Sequence, residues 1–287
     1  MNCDSNIRGL YINLERSETR KASCETAISR YGLTGKYKRF CGIEGREVAD
    51  RYPDFNLAPG KLGCWLSHMN AIEAHLEHPS YLHILEDDFV FTSGLRILFN
   101  NIDHLADRIG EWDIIFTDVD IADMRNASSM RNLVRDVESL FSGKKIRLEN
   151  AAKLYAAGNS SYVIHKDKKE KVWSIMQEGF KEGKVPKDIY LRERIRKGDL
   201  KAFVTLPFLT SVSEAFNDST ILGSIASVNP SIMLATMFRQ SLAWGADTKR
   251  ILRDVKKAIN SLHPISDRGM IYAHLIAHFV SDDYQPY

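Results

Sequence analysis

Tyr81-Leu82-His83-Ile84-Leu85-Glu86-Asp87-Asp88 (YLHILEDD) is the stretch on which the fold turns. A short apolar run passes directly into three acids, as in a buried strand that carries carboxylates to its carboxyl end. Upstream, GLYINL (Gly9 to Leu14) and YKRFCGI (Tyr37 to Ile43) read as strands. Downstream, so do WDIIF (Trp112 to Phe116), KLYAAG (Lys153 to Gly158), SSYVIH (Ser160 to His165) and LKAFVTLP (Leu200 to Pro207). Helical spacing separates them. Cys24, Ala27, Ile28 and Tyr31 share one face before Gly32 stops the helix, and Leu62, Trp65, Leu66, Met69, Ile72 and Leu76 share another between Pro59 and Pro79. Further helices are expected from Lys166 to Glu178 and from Pro186 onward. Strands alternating with helices indicate a predominantly parallel, doubly wound α/β sheet, which binds ligands beyond the carboxyl ends of its strands. Acids stand at two such ends: Glu86 to Asp88, and Asp118 and Asp120 of TDVD.

The whole-chain balance narrows the partners. Among 287 residues, 39 basic and 37 acidic side chains leave +2, so no global field recruits nucleic acid. No apolar run reaches the roughly 18 residues that cross a bilayer, and the start lacks a basic region followed by an apolar core. Cys3, Cys24, Cys41 and Cys64 form no C-x-x-C pair, which argues against a zinc cluster or disulfide framework and for a reducing compartment. The expected location is the cytoplasm. The polar stretch from Asp123 to Asn150 reads as a long loop or helical insertion. The chain divides as residues 1–222, the α/β domain, and 223–287, a helical extension whose likeliest joint is Asn229-Pro230. In the extension Ile251, Leu252, Val255 and Ile259 form a stripe beside Arg250, Arg253, Lys256 and Lys257. Two readings of that stripe stay open: a helix resting on the anionic inner face of the membrane, or one packed on the domain or on another subunit.

Adjacent aspartates at a strand end offer hard oxygens to Mg²⁺ or Mn²⁺, ions held by carboxylates together with substrate phosphates. A solvated turn is the competing reading of the triplet alone. Five segments bear on the choice: GLYINLERSETR, FCGIEGRE, LAPGKLGCWLSH, HILEDDFVF, and the pair AAGNSSYVIH and PKDIYL. In this order and spacing, over about Gly9 to Leu209, they resemble glycosyltransferase family 25, which includes bacterial lipooligosaccharide and collagen galactosyltransferases. The likeness does not reach residues 223–287.

The resemblance implies a GT-A type, Rossmann-like mixed sheet flanked by helices, a UDP-sugar donor (usually UDP-galactose), Mn²⁺ or Mg²⁺, and an inverting, hexosyl-transferring enzyme. The implied acceptor is a glycan or glycolipid of the lipopolysaccharide class, and an oligomer is compatible with it. In this sequence it makes Asp88 and Asp87 the metal ligands, with Glu86 turned the other way to orient a partner. The turn after the first strand is expected to cradle the donor, with Asn13, Arg16 and Arg20 nearby and Arg20 offering its fork to phosphate. Glu44, where the family commonly has aspartate, is expected at the nucleoside, with Gly45 allowing close backbone approach. Gly60, Ser67 and His68 stand at the helix beside the donor, although His68 reads equally as a packing histidine and Cys64 as a small core residue. Asn159, next to Gly158 and Tyr162, is a sugar contact. Asp188 of PKD is the leading general base, or else a helix-capping acid, and Asp120 is the second catalytic candidate. A fold that retains carbohydrate binding without turnover is the alternative. A phosphohydrolase would need a nucleophilic aspartate and phosphate-binding motifs that the sequence does not supply.

Overall fold

The computed structural model describes residues 6–121, 139–213 and 230–247, with single positions 133, 136, 137, 250, 251 and 253. The strands are β1 (Ile7–Leu14), β2 (Tyr37–Gly42), β3 (Tyr81–Glu86), β4 (Phe89–Phe91), β5 (Ile114–Ile121), β6 (Arg147–Asn150), β7 (Tyr155–Ile164), β8 (Ala202–Leu206) and β9 (Thr210–Val212). Seven of them form one mixed sheet in the order β2-β1-β3-β7-β5-β8-β6, and β4 pairs with β9. The helices are α1 (Glu18–Arg30), α2 (Gly45–Val48), α3 (Pro59–Glu73), α4 (Leu95–Asn101), α5 (Leu105–Ile109), α6 (Ala151–Leu154), α7 (Lys169–Glu182), α8 (Lys187–Lys197) and α9 (Pro230–Ser241).

Strand alternation sorts side chains between two cores. Leu82 and Ile84, Ile114 and Phe116, Tyr162 and Ile164 face one side, where Trp65, Met69 and Ile72 of α3 meet Val172 and Met176 of α7 and Leu191 of α8. Leu85, Ile115 and Val163 face the other, against Cys24 and Ile28 of α1 and Leu95, Leu98 and Phe99 of α4. A sheet covered on both faces explains why YLHIL carries almost no polar alternation. Phe238, Leu242, Ala243 and Ile251 join the first core, so this much of the C-terminal segment packs on the sheet. Leu252, Val255 and Ile259, the rest of the predicted stripe, lie outside the described residues, as do 123–132, 134, 135 and 138 of the predicted loop or helical insertion and the 222/223 boundary; the end of that insertion is strand β6 instead.

Two expectations are corrected. The sheet is not predominantly parallel through its centre: β7 runs antiparallel between β3 and β5. Alternating burial reveals which face a residue takes but not the direction in which its strand runs. KLYAAG and SSYVIH are also one strand rather than two. Gly158 adopts a left-handed φ of 65° in its middle, opposite irregular pairing along Asp118–Ile121, so the strand bends there without ending. Lys153 and Leu154 belong to α6 instead.

His83 is a fully buried polar group of the sheet. Its Nδ1 lies 2.6 Å from Tyr37 Oη and its Nε2 3.0 Å from Ser161 Oγ, and burial lowers its pKa to about 3. In the unfolded chain the value is about 6.5. Between these values the unfolded state binds a proton that the folded state does not. The stabilisation is therefore complete above the unfolded value and is lost as pH falls, by about 1.4 kcal/mol per unit for each such residue. His68 and His75, lowered to about 4, add to the slope. Urea midpoints between pH 7.5 and 5 should fall with acid and fall less steeply in His83→Gln; equal slopes would contradict this account.

Candidate active site

The carboxyl ends of β1, β3 and β5 bring most of the predicted acids to one edge. Beside β1, Asp87 is held by chain groups on both oxygens: Asn13 Nδ2 donates to Oδ2 at 2.7 Å and Arg20 Nη1 to Oδ1 at 2.6 Å. Arg39 Nε donates to Asn13 Oδ1 at 2.9 Å and its Nη2 to the Leu14 carbonyl, which fixes the amide so that its NH₂ faces Asp87. Asn13 and Arg20 therefore orient an aspartate, and the fork of Arg20 is directed at carboxylate.

Glu86 turns away from Asp87, as strand alternation requires. Its Oε1 lies 3.2 Å from His68 Nε2 and 3.8 Å from the buried Lys187 ammonium. Since a carboxylate only accepts, His68 carries its proton on Nε2, and Nδ1 accepts from Tyr162 Oη at 2.9 Å. Burial and Lys187 lower His68 to about 4, so it is neutral. Burial works against the charge of Glu86, but the His68 hydrogen bond and Lys187 prevail and bring its pKa to about 2. The His68 ring is thus engaged on both nitrogens, by Tyr162 and by Glu86. Cys64, His68 and Glu86 have ligand atoms within 4.8 Å of one another, a spacing that suits a metal. Against that use, the Cys64 thiol is pushed up to about 11 by burial, the Lys187 cation acts on the same trio, and Tyr162 occupies the free nitrogen of His68.

Asp88 differs from its neighbours. It is buried, and its Oδ1 has no hydrogen-bond partner among the described residues. Burial and then the Glu86 charge raise its pKa to about 7, while Arg239 opposes the rise. Its carbonyl accepts from Ser213 N at 2.6 Å, which ties the turn to the end of β9. An anionic oxygen in this position is relieved by a cation, so Asp88 fits Mg²⁺ or Mn²⁺ better than Asp87, both of whose oxygens already accept hydrogen bonds.

On the β5 side, Arg239 of α9 reaches Asp118 Oδ1 at 2.5 Å and Ser160 Oγ at 2.6 Å, and its Nη1 lies 3.6 Å from Asp120 Oδ1. Burial raises Asp118 and the guanidinium opposes it; Arg239 itself, though disfavoured by burial, is held as a cation by Asp118 and Asp120. Gly158 separates Asp120 from Asp188. Its N–H donates to Asp188 Oδ2 at 3.1 Å, and a Cβ on it would lie 3.0 Å from Asp120 Oδ2. The two predicted catalytic acids therefore flank one glycine.

Other predicted contacts are placed elsewhere. Ser67 is buried, donating to Gly63 O at 2.6 Å and accepting from Ile43 N at 2.8 Å, so it joins α3 to the loop after β2 rather than reaching a sugar. Gly45 approaches backbone as expected, but the backbone is that of Pro59 and Gly63. Arg16 and Glu44 pair at 2.8 Å near the surface. Gly60 lies half-buried in the first turn of α3, and Asn159 is buried with Nδ2 unpartnered among the described residues. Arg39, Lys187 and Arg239 were missed by sequence reasoning. Each is a cation remote in sequence from the acid or amide it serves, and local spacing carries no signal for such a pair.

The profile of glycosyltransferase family 25, described as an LPS biosynthesis protein, matches residues 7–190. The chain belongs to glycosyltransferase family 25. An Anopheles gambiae protein described as a glycosyltransferase 25 family member is 30% identical over an alignment of 122 residues that covers 37% of this chain and 20% of that protein. The match thus spans about a fifth of the relative's length. The family 25 span holds Asn13, Arg20, Asp87, Asp88, Asp118, Asp120 and Asp188, and ends well before Arg239. Among the described residues no helix is long and apolar enough to cross a membrane.

Proposed function

We propose that this family 25 chain transfers a hexosyl group, galactose in the first instance, from a UDP-sugar to a glycan acceptor of the lipopolysaccharide class, with inversion. The observation that carries the reading is the state of Asp88. Asp87 has Arg20, Glu86 has Lys187, and Asp118 and Asp120 have Arg239 as ion-pair partners, whereas Asp88 Oδ1 is buried with no hydrogen-bond partner among the described residues and the Arg239 charge does not offset its burial. Asp88, backed by Asp87, would hold Mn²⁺ or Mg²⁺, which when bound neutralises charge on the departing diphosphate. Asn13, Arg20 and Arg39 keep Asp87 in place, and the His68–Glu86–Lys187 group keeps a fixed anion beside it.

Asp188 removes the proton of the attacking hydroxyl. The Gly158 N–H holds one of its oxygens and leaves the other for the acceptor. A single displacement from the face opposite the leaving group inverts the anomeric centre. Asp188→Asn should lower kcat by about 10²–10⁴-fold while uridine diphosphate binds as in the wild type; a parallel loss of nucleotide affinity would assign Asp188 to structure instead. The wider reading is tested by a panel of nucleotide sugars, scored by thermal shift and hydrolysis with and without Mn²⁺. UDP-hexoses should give the largest shift, and only with metal; no response to any UDP-sugar would overturn the assignment.

A further inference from the structure

We propose that Arg239 is a positioning residue for the acceptor side of the site, so that a helix outside the family-matched span completes that side. The inference rests on the transfer reading above. Helix α9 packs across β5 and β9 and buries Arg239 to 4% exposure. The guanidinium joins three groups on two strands: Asp118 and Asp120 of β5 and Ser160 of β7. It also lies 3.4 Å from the Cβ position of Gly158, the glycine whose N–H holds Asp188.

These partners differ in what they need from it. Asp118 is fully buried, and a cation there offsets its desolvation. The Asp120 side chain is 41% exposed and needs no such compensation. For Asp120 and Ser160 the arginine fixes direction, holding a carboxylate and a hydroxyl at the Gly158 bend beside the proposed base. Among the described residues its side-chain hydrogen bonds go to β5 and β7, while its charge also acts on Glu86 and Asp88. A substitution that keeps this charge and loses the fork geometry is therefore expected to disturb the attacking group and leave nucleotide binding little changed. A lysine keeps the charge but has one nitrogen, so it does not reproduce the fork that sets Nη2 on Asp118 and Ser160 and Nη1 towards Asp120.

Arg239→Lys and Asp120→Asn, singly and combined, test this. The readouts are uridine diphosphate affinity with Mn²⁺ and hydrolysis of UDP-galactose, in which water replaces the acceptor. Each single variant should lower kcat by about 10-fold or more with affinity within about 2-fold of wild type, and the double should be no slower than the slower single. Rate losses that multiply in the double, or an affinity that falls in step with kcat, would overturn the proposal. Should wild type neither bind uridine diphosphate nor hydrolyse UDP-galactose, the donor reading fails. The Arg239 placement is then judged by ligand-free melting: coupled losses in the double variant retain it, and additive losses overturn it.

Discussion

Asp88→Asn is expected to abolish transfer and at the same time to raise the melting temperature. The substitution keeps shape and removes a buried charge that burial and the Glu86 anion already disfavour, to the point that the carboxyl titrates at about 7. Relief of that strain should stabilise the ligand-free protein by about 1–3 kcal/mol. Activity should fall by at least about 10²–10³-fold, because an amide is a poor ligand for a hard divalent cation and the leaving diphosphate then lacks its counter-charge. The measurements are UDP-galactose turnover with Mn²⁺ and thermal melts in the absence of metal. A more stable, inactive variant is the signature of a residue kept for chemistry at a cost in stability. Wild-type turnover in the variant would refute the role, and a lower melting point would refute the electrostatic account of the site.

The second large effect is structural. A Cβ at Gly45 would lie 1.7 Å from the Pro59 carbonyl oxygen and 2.7 Å from Gly63 N, all backbone, and one at Gly63 would lie 2.4 Å from Ile43 O. Neither neighbour can rotate aside as a flexible side chain would, so α2 and α3 must separate. Gly45→Ala should destabilise the protein by about 3 kcal/mol or more, the upper end of overpacking costs. Because α3 carries Ser67 and His68, the separation also loosens the hold on Glu86, so turnover should fall as well. Gly32→Ala is the comparison: its φ is 67° but nothing lies within 4 Å, and the expected loss is about 1 kcal/mol from backbone strain alone. Denaturant titrations compare the two. Similar losses at both positions would refute the close-approach account of Gly45.

Much of this protein is legible from local spacing. The run YLHILEDD sets both a buried strand and the place where its acids emerge, because an apolar run needs a covered sheet and a charge needs its open end. The stripe through Leu62, Trp65, Leu66, Met69 and Ile72 forms the buried face of α3 for a comparable reason: side chains three and four apart share one side of a helix. What the sequence by itself determined is therefore which faces are buried and which strand ends carry acid, together with the family motifs that span them. Tertiary structure decided the direction of β7, since burial is the same whichever way a strand runs. It also decided which cation each acid meets. Asp87 met Arg20, Glu86 met Lys187 and Asp118 met Arg239, while Asp88 Oδ1 was left without a hydrogen-bond partner among the described residues. These partners come together only when strand order places distant segments side by side, and the energy of a buried charge depends on that neighbourhood rather than on its neighbours in the chain.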